Sequence, residues 1–361
     1  MKVGIFTPYL DILGGGERYI LTIASSLSEK GYQVDIFWDD EKIKKDIKER
    51  LGLDLGKTKF IEDIFSPSKN LIQKRKITSN YDLFFYMSDG SVPFLFGKKN
   101  FLCFMAPFTG VNGQSFLNKI KLVRIHRVIS ISKFTKRFID KEYGVRSVVV
   151  YPPVEVEDFN PGKKENLILS VGRFTQTLHD KKQHILVEVF KQINKEGLKD
   201  WRLVLAGGMV DEGKKYVEDL GKLVKGYPIE IKPNINLSEL KQYYKKAKIY
   251  WHAAGFGENE QEHPEKMEHF GITTVEGMSA GAVPIVINKG GQPEIVKHQT
   301  NGFLWETKEE LAKYTLRLIA ESRSKVKSEN LWEKLSKQAI KDSQKFSKKV
   351  FCKRIDEIIE D

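Results

Sequence analysis

The sequence predicts an α/β protein of two Rossmann-like domains whose parallel sheets face each other across a cleft. Three observations lead there. Short apolar runs bounded by turn residues alternate with amphipathic stretches along the chain, as expected for strands buried on both faces by crossover helices. The alternation restarts after a proline-containing break near residue 152. The length of 361 residues suits two domains at roughly 100–200 residues each.

Taken in order, residues 2–7 read as the first strand, Gly14-Gly15-Gly16 as a turn, and 17–30 as a helix. Gly31 punctuates the chain, and 33–38 reads as the second strand. Further strands are expected at 83–87, 100–105, 127–132 and 147–151. Pro152, Pro153 and Asn160-Pro161-Gly162 make a linker, because such residues stiffen or break regular structure. Beyond it, strands at 166–172, 201–207, 230–232, 249–252, 282–287 and 302–305 are separated by helices, among them 183–196, 211–223 and 238–246. The charged segment 331–360 reads as strongly helical. The expected domains are 1–157 and 158–339, with a C-terminal helix over about 340–361 returning to the first. Ligands of open α/β sheets sit beyond the carboxyl ends of the strands, so the cleft is the expected site.

Composition narrows the function. Cys103 and Cys352 are the only cysteines, too far apart for a metal motif or disulfide framework, which points to a reducing compartment. The apolar N-terminal stretch is too short for a signal-peptide core, and no run of about 18 apolar residues occurs. A cytoplasmic protein is the expectation. The net charge of +12 falls mostly on residues 1–155. Such a surface suits nucleic acid, anionic lipid or a phosphorylated small molecule, and equally a surface tuned for solubility.

Several motifs carry chemistry. Gly14-Gly15-Gly16-Glu17-Arg18 joins the first strand to its helix. There the backbone can approach a ligand, and a helix N-terminus offers N–H groups to an anion; a plain tight turn would use the same residues. Val171-Gly172-Arg173 ends the first strand of the second half, and Lys182 follows. Two cations at a strand end can neutralise a diphosphate leaving group, although singly each reads as a solvated surface charge. Glu268-His269-Phe270-Gly271-Ile272-Thr273-Thr274-Val275-Glu276 sets two glutamates around an apolar-Gly step that can open a helix over 272–278. Glu276, on that helix, can accept hydrogen bonds from ribose hydroxyls, while N–H groups at 270–273 meet phosphate or sugar oxygens. Ala280-Gly281-Ala282-Val283-Pro284 and Gly290-Gly291-Gln292-Pro293-Glu294 follow at the same edge. His252 and the Glu/His-rich segment 255–263 suggest a metal site, but their polar loop setting reads better as a solvated flexible lid.

With these motifs in that order, nearly the whole chain resembles glycosyltransferase family 4, the large group of retaining GT-B enzymes. The resemblance implies transfer of a hexose-type sugar from a GDP- or UDP-linked donor to a glycan, lipid-linked or phosphorylated acceptor, without metal or other cofactor. It implies that Arg173 and Lys182 hold the donor diphosphate, Glu276 the ribose and Glu268 the donor sugar. Phe270, Gly271, Ile272 and Thr273 would line the sugar-phosphate site through their backbone, and Gly15 and Gly16 would close on the phosphates from the opposing domain. Catalysis would rest on Glu268, Arg173 and Lys182 through orientation and charge stabilisation. One departure stands out: where many relatives carry a histidine two residues before a proline, Cys103-Phe104-Met105-Ala106-Pro107 has Met105.

The first domain also mixes apolar and basic residues over 116–125, with cations at 69–76. Both suit peripheral contact with an anionic membrane, or an ordinary helix with a basic outer face. Other readings are weaker. A nicotinamide dehydrogenase would need a Gly-x-Gly-x-x-Gly turn, and a nucleic-acid binder a recognisable finger, helix-turn-helix or RNA-binding signature; neither occurs. A non-catalytic scaffold of the same fold would be expected to lose Arg173, Lys182 or Glu276, and all three are present.

Overall fold

The computed structural model of the chain describes residues 1–65, 70–176, 180–322 and 330–361. They divide into two units, Met1–Pro153 with Lys348–Asp361, and Val154–Ser347.

In the first unit, β1 (Lys2–Phe6), β2 (Gln33–Phe37), β3 (Lys59–Ile61), β4 (Leu83–Ser88), β5 (Lys99–Phe104), β6 (Arg127–Ser130) and β7 (Val148–Val149) form one parallel sheet. Its order is β3-β2-β1-β4-β5-β6-β7. The order reverses between β1 and β4, as in a doubly wound fold. Central β4 is buried along its whole length, which is why its residues are apolar on both faces. At Gly4 on β1 a Cβ would stand 2.5 Å from the Phe84 ring, so no side chain fits there. β3 has no clear sequence signal, being three residues long and partly exposed at the sheet edge.

The Gly15–Glu29 helix buries Tyr19, Ile20, Ile23, Ala24 and Leu27. The C-terminal Lys348–Glu360 helix packs on it, with the Phe351 and Tyr19 rings 4.8 Å apart. The segment 331–360 is helical as expected but in two helices, and the one returning to the first unit begins at Lys348 rather than near 340. The Leu331–Ser343 helix stops, Gln344–Phe346 forms a 3₁₀ turn, and Ser347 is extended. Helical periodicity runs across this point, but Phe346 turns in against Phe270 and its carbonyl accepts the Val154 N–H at 3.0 Å.

The second unit repeats the plan. β8 (Glu165–Val171), β9 (Arg202–Gly207), β10 (Ile229–Pro233), β11 (Ala247–His252), β12 (Val283–Ile287) and β13 (Phe303–Trp305) form a parallel sheet in the order β10-β9-β8-β11-β12-β13. Ile168 on β8 pairs with Leu203 on one side and Ile249 on the other. Leu205, Trp251, Ile285 and Trp305 fill the core, and the buried Trp251 indole N–H donates to Thr315 Oγ1 at 3.2 Å. The order reverses between β8 and β11, so the carboxyl ends of these two strands frame the place where a doubly wound sheet binds its ligand.

Candidate functional site

At the carboxyl end of β8 the chain runs tightly against β9. The Gly172 N–H donates to the Ala206 carbonyl at 2.9 Å, and a Cβ at Gly207 would stand 2.0 Å from the Gly172 oxygen. A Cβ at Gly172 would itself meet the Lys181 side chain at 2.7 Å. Glycine is thus demanded by close approach. Arg173 follows on the surface, its carbonyl held by Gln183 Nε2 at 3.0 Å. Among the described residues its guanidinium has no hydrogen-bond or ion-pair partner, leaving a cation available beside the switch point.

β11 ends at His252, and the chain returns with Glu268 beside it. His252 Nε2 lies 2.8 Å from Glu268 Oε2, and Lys181 Nζ donates to the same oxygen at 2.8 Å. Burial alone would raise the Glu268 carboxyl; the Lys181 charge and the His252 contact outweigh it and hold the group well below the usual carboxylate range. Glu268 is therefore an anion at neutral pH. His252 is 3% exposed, and its Nδ1 has no partner. Lys181 is the functional-site residue that sequence reasoning missed. Its only signal is the neighbouring Lys182, since its carboxylate lies 87 positions away in the chain.

Lys182 takes a different partner. It begins the Gln183–Lys195 helix from a left-handed conformation, φ +54°. Its ammonium donates to Glu258 at 2.9 Å and lies 3.4 Å from Asp180. Burial draws its pKa down, but these carboxylates prevail and raise it above the ordinary lysine value. Glu258 also accepts from Lys266 at 2.9 Å, and the two lysines pull its pKa to about 2 against a burial effect of opposite sign. In the segment 255–263, expected to be a solvated lid, residues 257, 259 and 261–263 are exposed, while Glu258 is held by these bonds. Lys289 Nζ reaches the Gly255 and Glu258 carbonyls at 3.3 and 2.5 Å, and Glu260 accepts the Gly290 N–H at 2.8 Å. Polar composition did not reveal that Glu258 pairs with Lys182 and Lys266, or that Glu260 accepts a backbone N–H. Among the described residues no group of three or more His, Cys, Asp or Glu is placed to hold a metal ion.

The second glutamate sits on the Ile272–Ser279 helix, which starts at Gly271. With φ +121°, Gly271 adopts a conformation L-residues avoid, and a Cβ there would meet Gln292 Nε2 at 2.5 Å. The Thr274 and Val275 N–H groups turn back to the Gly271 carbonyl. Those of Ile272 and Thr273 open the helix with no acceptor inside it, giving an anion-seeking end. Gln292 is fully buried; its Oε1 accepts from Thr274 at 3.0 Å and its Nε2 is unpartnered. Glu276 accepts from the buried Tyr244 hydroxyl at 2.8 Å, and Tyr250 donates to Thr273 Oγ1 at 2.7 Å. The two tyrosines fix the helix that carries Glu276. The Phe270 side chain points into the core against Phe346, so only its backbone is left for a ligand.

Gly290-Gly291 supports this apparatus from behind. The Gly291 N–H donates to the Glu268 carbonyl at 2.7 Å, and a Cβ at Gly290, where φ is +61°, would stand 2.3 Å from that oxygen. The pair clamps the backbone on which Glu268 stands. In the first unit, Gly15 and Gly16 open their helix behind a local cap in which Glu17 accepts the Gly14 N–H at 2.7 Å. Gly16 faces Met105, to which a Cβ would make ordinary contact at 3.5 Å.

Brought together in the second unit are the Arg173 guanidinium, unpaired among the described residues, a helix N-terminus, one carboxylate held ionised at the strand ends and another on the helix itself. Such a set can take an anion and a polyol. Residues 154–342, more than half of the chain, match the glycosyl transferases group 1 family. The chain belongs to that family. It is a nucleotide-sugar-dependent glycosyltransferase with two Rossmann-like domains of the GT-B type. It is 26% identical to a Dictyostelium discoideum GDP-Man:Man(3)GlcNAc(2)-PP-Dol alpha-1,2-mannosyltransferase, over 89% of this chain and 78% of that protein. The human mannosyltransferase of the same name is 32% identical over 49% of this chain but only 37% of its own length. A glycosyltransferase from Rickettsia africae has the same fold, with a TM-score of 0.77 and 19% identity, over 99% of this chain and 97% of that one. Among the described residues no helix is long and apolar enough to cross a membrane.

Proposed function

We propose that this glycosyltransferase is a retaining, metal-independent hexosyltransferase of family 4, taking mannose from a GDP-linked donor and delivering it to a lipid-linked glycan. The observation that carries the reading is the grouping of Arg173, the Ile272–Ser279 N-terminus, Glu268 and Glu276 around one switch point. The Dictyostelium relative, matched along most of both chains, supports mannose and a lipid-linked acceptor.

In this reading the Arg173 guanidinium faces the donor diphosphate and stabilises the charge that grows as the glycosyl–phosphate bond breaks, and the Lys182 ammonium joins it by exchanging Glu258 for a phosphate oxygen. The N–H groups of Ile272 and Thr273, with the backbone at Phe270 and Gly271, meet phosphate or sugar oxygens. Glu276 accepts from the ribose hydroxyls. Glu268, kept anionic by Lys181 and His252, accepts from a hydroxyl of the donor sugar and fixes its face. The departing phosphate takes the acceptor proton, so the protein supplies orientation and charge rather than a base.

The test is incubation with GDP-mannose in EDTA and a lipid-diphosphate-linked oligosaccharide, followed by NMR of the product's anomeric centre. An α-mannoside is expected from the α-linked donor. A β-product would overturn retention, and turnover with UDP-sugars alone would overturn the donor assignment.

A further inference from the structure

One surface of the first unit is not used by this chemistry. The Leu71–Thr78 and Phe116–Leu122 helices flank a groove of about 550 Å³ lined by Leu71, Ile72, Phe94, Phe96, Ile120 and Val123. Apolar residues stand out from it: Ile72 is 79% exposed, Phe116 80% and Val123 84%. Phe116, Ile120 and Val123 recur at helical spacing and so share one stripe. Exposure of this size on neighbouring residues is unusual for a surface left to water.

The rim is cationic. Arg75 and Arg124 lie over the Phe96 ring at 5.9 and 5.7 Å, and Lys121 over Phe94 at 5.2 Å. Among the described residues none of these three forms an ion pair, and the Arg124 Nε–H finds only the Leu95 carbonyl at 3.4 Å. Lys121 feels burial and then the like charge of Lys74, both lowering its pKa. Of the basic residues singled out at 69–76, Lys69 lies outside the described residues and has no part here.

Apolar side chains projecting between uncompensated cations match the layering of a bilayer surface, where phosphates lie just outside hydrocarbon. We propose that this face docks the enzyme on the surface of an anionic phospholipid bilayer. Ile72, Phe116 and Val123 enter the acyl boundary, while Arg75, Lys121 and Arg124 engage lipid phosphates. The inference is independent of the donor assignment.

The test is sedimentation of the full chain with phosphatidylcholine vesicles and with vesicles also containing phosphatidylglycerol. Binding to the anionic vesicles only, weakening with added salt, is expected. Arg75→Gln with Arg124→Gln should weaken partitioning about 30-fold. Ile72→Ser with Val123→Ser should weaken it at least as far, with circular dichroism and the Trp38 fluorescence of both variants unchanged as the check on folding. No binding of the wild type to anionic vesicles, or binding undiminished in both variants, overturns the proposal. Concentration-dependent dimerisation that Ile72→Ser with Val123→Ser abolishes, without vesicle binding, overturns it too and gives the face to a second copy.

Discussion

Lys181→Met removes the cation nearest Glu268 while keeping the length and apolar stem of the side chain. Lys181 Nζ and Glu268 Oε2 are 2.8 Å apart, and the two side chains are 17% and 18% exposed. At an effective dielectric of about 20 the Coulomb attraction is about 6 kcal/mol. Desolvation of two largely buried ions offsets more than half of it, leaving about 2–3 kcal/mol lost when one partner is deleted. With Lys181 gone, burial pushes the Glu268 carboxyl upward and only His252 resists. The sign of the pH dependence follows. In the wild type the carboxyl is depressed, so its contribution is present above the ordinary glutamate range and is lost as pH falls through the lower folded value. The variant lacks most of that contribution, so its deficit should be largest at neutral pH and shrink on acidification. Urea unfolding of the wild type, Lys181→Met, Glu268→Gln and the double variant at pH 7 gives the pair's coupling energy. Tryptophan fluorescence suits this, since Trp201, Trp251, Trp305 and Trp332 all lie in the second unit. A coupling of about 2 kcal/mol is expected. A coupling below about 0.5 kcal/mol would refute the claim that Lys181 holds Glu268 ionised.

Three further perturbations follow from the geometry. Gly290→Ala should destabilise the second unit by more than about 3 kcal/mol, because a positive φ is combined with a backbone clash against the Glu268 carbonyl; urea unfolding reads it. Phe351→Ala should cost about 3–4 kcal/mol of first-unit stability by opening the seam between the first and last helices. Trp38 fluorescence should report that loss, with the second unit's transition unmoved. Glu258, held near 2 by Lys182 and Lys266, contributes stability that is complete above the ordinary carboxylate range and fades as pH drops toward 2. Glu258→Gln should flatten that acid limb, by about 1 kcal/mol after solvent screening, in denaturation curves between neutral pH and pH 3.

The parallel architecture was legible because strands buried on both faces carry continuous apolar runs, as β4, β5, β9 and β12 do over most of their length. β3 was not legible, because a short edge strand needs no such pattern. The break at Gln344–Phe346 escaped notice for a related reason: helical spacing continues through it, and the cause is a tertiary contact to Phe270. In the site, Gly172, Gly271, Gly290 and Gly291 could be read from sequence because close approach admits nothing larger there. The ion pairs could not. That Glu268 pairs with Lys181 and Lys182 with Glu258 depends on where loops from β8 and β11 meet, and adjacent lysines look alike in a sequence.

The most direct test of a nucleotide-sugar site at the switch point of the second sheet is calorimetric titration of GDP and UDP, in EDTA, into the wild type, Arg173→Ala and Glu276→Ala. The wild type should bind GDP in preference to UDP. Each variant should lose about 10- to 100-fold in affinity, the worth of a hydrogen bond to a charged group, with folding intact by circular dichroism. A folded wild type that binds neither nucleotide, or variants that bind as tightly as the wild type, would contradict it.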